Sequence, residues 1–359
     1  MSLSIGIVGL PNVGKSTLFN VLTNNNILAA NYPFATIEPN TGIVPIPDGR
    51  LKKLSELYNN APVVPATVTF VDIAGLVAGA SQGEGLGNQF LANIRSCNAI
   101  AHVVRAFDDS NVVHVDEKHD PKKDIDVINT ELVLADLQTV EKRLPRLQKE
   151  TKANPKLKPM LDKLEAINKT LNNNEPVHAV YTPEELEELA DLQLLTMKQA
   201  IYVFNMDEAG LADEAKKQEL ASLAGTAESI FLCAKLESEL QGLDESDRLE
   251  LLESYGVSSS GLEQLIHAAY NTLNLQSYLT AGDKEVRAWT IRKGSSAPQA
   301  AGVIHGDFER GFIAAEVVGY KDLISAGSMQ LAKASGKVRT EGKTYIMQPD
   351  DIVEFKFNV

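Results

Sequence analysis

Residues 9–17 read Gly9-Leu10-Pro11-Asn12-Val13-Gly14-Lys15-Ser16-Thr17. Two glycines with four residues between them, then a lysine and two hydroxyls, suit a phosphate chain. Gly9 and Gly14 permit backbone angles that a side chain forbids, so the N–H groups of Asn12, Val13 and Gly14 turn towards phosphate oxygens. Lys15 supplies a cation for the β- and γ-phosphates, the Ser16 hydroxyl is a ligand for Mg²⁺, and Thr17 follows at the start of a helix. The context fits. Leu3 to Val8 is a short apolar run suited to a buried strand, and Lys15 to Leu22 has helical spacing. A helix N-terminus after such a loop favours anions.

Other segments could complete the site. Asp72-Ile73-Ala74-Gly75 closes the apolar stretch 66–72. An acid there can hold Mg²⁺ through water, and the Gly75 N–H can sense the γ-phosphate. Thr36 lies where a threonine could complete the magnesium shell. Guanine-specific P-loop proteins end a later strand with Asn-Lys-x-Asp, whose aspartate accepts from the guanine amino group. Here the residues are Asn205-Met206-Asp207-Glu208, and the next strand ends Cys233-Ala234-Lys235. Asn205 can pair with adenine N6 and N7, while the longer Glu208 misplaces the carboxylate that guanine needs. Met206, Glu208, Cys233 and Ala234 are the remaining base-site candidates.

These residues need a scaffold, and the sequence suggests one. Strand-like runs at 66–72, 99–105, 200–205 and 229–234, with helical stretches such as 87–97 and 261–273, predict an α/β fold with a mainly parallel sheet. About a hundred residues between Arg105 and Ala200 break the rhythm, longer than an ordinary crossover. Ile125, Ile128, Leu132, Leu137, Val140, Leu144 and Leu147, then Leu157, Leu161, Leu164, Ile167 and Leu171, predict two antiparallel helices. They meet near Asn154-Pro155 as an inserted coiled-coil arm at about 122–198. Residues 142–169 carry nine Lys or Arg against three acids, so the arm tip is basic at +6. After Leu275 the strand-like segments 285–291 and 351–357 predict a compact C-terminal α+β domain.

Composition bounds the rest. The chain has 359 residues, 44% hydrophobic and 23% charged, with net charge −14. That balance argues against a protein that coats DNA. No apolar run approaches the length of a membrane span. Two cysteines make neither a disulfide framework nor a metal site, and the apolar surroundings of Cys97 and Cys233 predict reduced core thiols. With the first strand starting at the N-terminus, these features predict a cytoplasmic protein.

The chain resembles the Obg-like ATPases, the YchF group of P-loop proteins. The resemblance rests on residues 9–17, Asn-Tyr-Pro-Phe-Ala-Thr at 31–36, Asp-Ile-Ala-Gly-Leu at 72–76, Asn-x-x-Glu at 205–208 and Arg-Ala-Trp-Thr at 287–290. It covers nearly the whole chain. It implies a nucleotide-binding domain at 1–275 interrupted by the arm, and a β-grasp-like TGS domain at 276–359. It also implies ATP hydrolysis preferred over GTP hydrolysis, and association with ribosomes as a nucleotide-controlled switch. Ras-like hydrolases place a water-orienting glutamine after Asp-x-x-Gly; here Leu76 stands there. The resemblance points to His114 as the substitute, acting with Lys15 and Gly75 in catalysis. It points to Asn12 as a residue that helps bind a potassium ion. Leu76 also leaves room for an RNA- or protein-binding adaptor that uses ATP as a structural ligand. The basic arm tip suits RNA phosphates. Trp289 reads as a core residue.

Overall fold

A computed structural model describes residues 3–24, 40–73, 86–107, 120–257 and 259–358. The segments expected to carry Thr36, Gly75, Leu76 and His114 lie outside these residues. The chain divides into two compact units, one of residues 1–42 and 69–269, the other of residues 43–68 and 270–359.

Along the first part of the chain run β1 (Ser4–Val8), α1 (Lys15–Asn24), β2 (Thr41–Pro45), α2 (Gly49–Leu57), β3 (Val63–Val64), β4 (Thr67–Asp72), α3 (Leu86–Ser96) and β5 (Ala99–Arg105). The arm is α4 (Pro121–Ala153) and α5 (Lys158–Asn172). Then come β6 (Ala200–Asn205), α6 (Glu214–Leu223), β7 (Glu228–Leu232), α7 (Ala234–Glu239), α8 (Glu245–Ser254) and α9 (Gly261–Thr272). The strand order is β2-β4-β1-β5-β6-β7. β1 runs parallel to β4 and β5, β5 to β6, and β6 to β7. All seven residues of β5 are buried, His102 and Arg105 among them, which is why its sequence shows no alternation of apolar and polar residues. The parallel order brings the ends of β1, β4, β5, β6 and β7 to one edge of the sheet, where open α/β sheets bind ligands.

The arm follows its sequence pattern from Leu137 onward, but the seam starts with Val133 rather than Leu132, and Ile125 packs into a different cluster. Val133, Leu137, Val140, Leu144 and Leu147 fall at alternating four- and three-residue spacing on α4 and pack against Leu161, Leu164, Ile167 and Leu171 of α5. Asn154 caps the turn between the helices through its bond from Lys156 N, and Pro155 begins it. The helices are unequal, 33 and 15 residues. The chain returns to β6 through 3₁₀ turns rather than a longer second helix. Asp136, fully buried on α4, accepts bonds from Leu195 N (2.7 Å), Thr196 N (2.8 Å) and Thr196 Oγ1 (2.7 Å). Burial pushes the Asp136 carboxyl up, and these three bonds pull it back. Beside it the Lys198 ammonium donates to the Arg95 carbonyl (3.1 Å) and to the Cys97 carbonyl.

The second unit adds β8 (Leu275–Ala281), β9 (Val286–Arg292), α10 (Ala297–Ile304), α11 (Gly306–Arg310), β10 (Phe312–Gly319), α12 (Tyr320–Ala326), α13 (Met329–Ala334), β11 (Arg339–Glu341) and β12 (Asp351–Phe357). Its mixed sheet has the order β11-β10-β12-β8-β9-β3. Ala297, Ala300 and Ala301 let α10 approach the sheet closely, and the buried Tyr278 hydroxyl donates to the Ala300 carbonyl at 2.9 Å. The unit is wider than residues 276–359. Val63 and Val64 pair with Val286 and Arg287, and Arg50 of α2 reaches the Pro349 carbonyl and Asp350. Trp289 is half-buried, its Nε1 donating to Thr280 Oγ1 at 2.9 Å and Arg287 stacking 4.7 Å from its ring.

Candidate nucleotide site

The loop between β1 and α1 has the geometry its sequence demands. Asn12 and Gly14 both take positive φ, 63° and 91°. Asparagine tolerates that region, and glycine adopts it without strain. A Cβ on Gly14 would overlap the Asn205 amide nitrogen, and one on Gly9 would lie 2.7 Å from the Val103 carbonyl oxygen. Both glycines are therefore required by close approach of other chain segments. Lys15 opens α1 and is 9% exposed, with its Nζ 3.4 Å from Asp72 Oδ1 at the end of β4. Ser16 and Thr17 are exposed on the first turn. The structure thus brings Lys15 and Asp72 together, with Ser16 the next residue along α1.

Asn205 has a structural role beside the one its type suggests. It is 5% exposed at the end of β6. Its Nδ2 donates to the Val13 carbonyl at 2.9 Å, and its Oδ1 accepts from Ala234 N at 3.0 Å. The amide braces the P-loop against the β7–α7 junction, which leaves one N–H and one oxygen lone pair to offer a ring. Met206 is corrected in part. Its side chain is 1% exposed in the core beside Phe204, Leu211 and Cys233, so it presents no polar group to a base.

The base end of the site is a cavity of about 480 Å³ that Asn12, Gly14, Thr17, Met206, Glu208 and Ala234 help to line. At its rim the Glu208 carboxylate meets the Lys235 ammonium at 2.8 Å. The bond from Lys235 holds Glu208 below the usual carboxylate range, and Glu208 raises Lys235 in turn. Cys233 caps α7 with its sulfur accepting from Leu236 N, and burial pushes its thiol up. It shapes the wall rather than reacting. Sequence reasoning missed Phe107, which also lines the cavity and carries the Arg105 guanidinium 4.5 Å from its ring. Its place just past a central parallel strand was the available signal. The Lys235 partnership of Glu208 was missed as well.

The donor set fits a magnesium ion. Among the described residues no group of three or more His, Cys, Asp or Glu side chains converges. Mg²⁺ at a phosphate site needs few protein ligands, keeping waters and phosphate oxygens instead. A hydroxyl and one carboxylate beside the phosphate lysine, Ser16 and Asp72, match that demand.

Comparison with known proteins agrees with this geometry. A family model described as the 50S ribosome-binding GTPase matches residues 4–144, and one named YchF-GTPase_C, described as a protein of unknown function, matches residues 275–358. Proteins named Ribosome-binding ATPase YchF from Bacillus subtilis and Haemophilus influenzae are 50% and 51% identical to this chain, each comparison covering 100% of both chains. The chain belongs to the YchF family. The Schizosaccharomyces pombe YchF GTPase structure superimposes with a TM-score of 0.88 at 39% identity, over 99% of this chain and 98% of that one. A GTP-binding protein from Pyrococcus horikoshii shares the fold, with a TM-score of 0.62 at 22% identity over 99% of this chain and 100% of that one. YchF membership accounts for the α/β P-loop domain, the inserted arm and the separate C-terminal unit in one chain. Among the described residues no helix is long and apolar enough to cross a membrane.

Proposed function

We propose that this chain is a Mg²⁺-dependent hydrolase of nucleoside triphosphates that prefers ATP to GTP, binds ribosomes and works in the cytoplasm as a nucleotide-controlled switch. The observation that carries the reading is the base end of the site. The fourth position of the base segment holds Glu208 rather than aspartate, and its carboxylate is engaged by Lys235. A carboxylate so placed and so paired is a poor acceptor for the guanine amino and imino groups, whereas adenine needs no aspartate. Relatives at about 50% identity carry the name ribosome-binding ATPase, which supports both the nucleotide and the partner.

The chain's own groups divide the work. P-loop N–H groups and Lys15 hold the β- and γ-phosphates, and Lys15 stabilises charge that grows on them. Ser16, Asp72 and Thr36 would hold the metal, which would supply positive charge to the phosphate oxygens. Gly75 N–H senses the γ-phosphate, His114 orients the attacking water in place of the glutamine that Leu76 replaces, and Asn12 contributes to a potassium site. The basic arm tip meets ribosomal RNA. Steady-state turnover of ATP and GTP, with and without ribosomes and potassium, tests the reading. ATP turnover above GTP turnover, rising with ribosomes, is expected. His114→Ala should lower turnover by roughly ten- to ten-thousand-fold at near-unchanged ATP affinity. Negligible turnover under every condition would refute the enzyme and leave an ATP-stabilised adaptor.

A further inference from the structure

On the β5 side, the wall of the base cavity is an aromatic ring. Phe107 lines the cavity two residues past Arg105, the last residue of β5. Across Asn205 and Met206, at the end of β6, stand Ala234 and Lys235, just past β7. β5, β6 and β7 are neighbours in that order. Strands so ordered place β5 and β7 about 10 Å apart. A planar base with a wall on each face needs about 7 Å, at carbon separations near 3.5 Å. The gap therefore takes one base standing above β6, with a flat face turned to Phe107.

The backbone that carries the ring is fixed on both sides. Ala106 N donates to the Asn205 carbonyl at 2.8 Å, which extends the β5–β6 ladder to the residue before Phe107. The Phe107 carbonyl accepts from Arg105 Nε at 3.2 Å. What remains free is the rotation of the ring about its side-chain bonds. The same guanidinium settles it, its central carbon lying 4.5 Å from the ring centre. Arg105 is 3% exposed, whereas Phe107 is half-buried and lines the cavity. The cation therefore covers the inner face of the ring and leaves the outer face for a ligand. A guanidinium against an aromatic face attracts it, and more strongly where water is excluded. We propose that Arg105 is a positioning residue for the base: it holds the Phe107 ring, by its backbone and by its face, in the orientation that stacks on a purine. The inference rests on the reading of this cavity as the base end of a nucleotide site. It does not depend on which purine is preferred, since every base presents a flat face. The ring is ordered at folding rather than at binding, so losing the cation weakens the nucleotide.

The test is a double-mutant cycle of Arg105→Met and Phe107→Leu in the full chain. It is read by calorimetric titration in Mg²⁺ with two probes, ATP and inorganic tripolyphosphate, and urea midpoints are measured beside each titration. Methionine keeps an apolar stem and removes the cation and the donor. Arg105→Met should weaken ATP by roughly three- to thirty-fold and leave tripolyphosphate unchanged. Phe107→Leu should weaken ATP by a similar factor, and the double variant no further, because Arg105 acts on the base only through the ring. Arg105→Lys keeps a cation without the planar fork. It should recover part of the loss, and it is the milder change if the methionine variant does not fold. Additive losses in the double variant, or equal losses for ATP and tripolyphosphate, would assign Arg105 to the scaffold and overturn the proposal. Unchanged ATP affinity in Arg105→Met would overturn it as well. Failure of the unsubstituted chain to bind ATP would overturn the nucleotide reading itself, and this inference with it.

Discussion

Asn205 offers a decisive perturbation, because its side chain joins two backbone groups distant in sequence. Asn205→Ala removes the donor to the Val13 carbonyl and the acceptor for Ala234 N, both within a site where Asn205 is 5% exposed. Each buried backbone group left without its partner costs about 1–3 kcal/mol, so the pair costs roughly 2–6 kcal/mol. The P-loop is then free to leave the conformation that Gly14 adopts at φ 91°. A loss of 2 kcal/mol in the nucleotide-competent conformation corresponds to roughly thirty-fold in affinity. Asn205→Asp is the companion variant. It keeps an acceptor for Ala234 N but sets a carboxylate oxygen against the Val13 carbonyl, so it should be no milder. Titration with fluorescent ATP and GTP analogues, beside urea unfolding, is the assay. A brace predicts loss of affinity for both nucleotides with their ratio held within about three-fold, since every nucleotide needs the same phosphate loop. If the ratio moves ten-fold or more while the urea midpoint stays put, Asn205 reads the base and the bracing argument is wrong.

Other expectations follow from neighbouring features. Glu208→Asp shortens the arm that Lys235 engages, and should improve GTP binding relative to ATP by roughly ten-fold, the scale of one charged hydrogen bond; an unchanged ratio in a competition titration would remove Glu208 from the selectivity argument. At the arm tip, Arg143 and Arg146 share Glu150 and Lys158 pairs with Asp162, whereas Lys142, Lys149, Lys152 and Lys156 are exposed with no ion pair among the described residues. Reversing those four lysines to glutamate should weaken ribosome co-sedimentation and flatten its salt dependence by up to ~3 log units of affinity per log unit of salt, with ATP binding intact; equal sedimentation at every salt would move the contact off the arm. His102 is 3% exposed beside Tyr202 and burial alone pushes its imidazole from 6.5 down to about 3. The folded chain keeps it neutral while the unfolded chain protonates it below 6.5, so stability should fall with pH from 6.5 towards 3, by ~1.4 kcal/mol per pH unit for this group. His102→Phe should make the urea midpoint less acid-sensitive over that window; an identical acid slope would show that other groups set it.

What could be read from the sequence was local. Gly9, Gly14, Lys15 and Ser16 declare themselves by spacing, and Leu137, Val140, Leu144 and Leu147 declare the arm by period. Ala99–Arg105 and Ala200–Asn205 match the observed strands because buried parallel strands leave mostly apolar stretches without alternation. What escaped depends on distant partners. Nothing near Asn205 reveals that its amide is spent on Val13 and Ala234, and nothing near Glu208 reveals Lys235. The packing of residues 43–68 with the C-terminal unit rests on Val63 meeting Val286, a pairing across more than half the chain. The form of the return from α5 to β6 had no signal in the sequence either, since the turn at Leu195 and Thr196 is held by Asp136 some sixty residues away.

The buried Asp136 carboxylate has a mechanical meaning. An inserted arm is a lever, and a lever transmits force only if its pivot is stiff. Asp136 rivets the outgoing helix to the strand-bound returning chain, so the insertion is closed at its root instead of hanging from two loose threads. Just downstream of that rivet runs β6, whose last residue is Asn205, the brace of the phosphate loop. Load applied to the arm therefore arrives, through one strand held in a parallel sheet, at the residue that fixes the loop's shape. The root of the arm and the brace of the phosphate loop are thus joined by a single strand, six residues long.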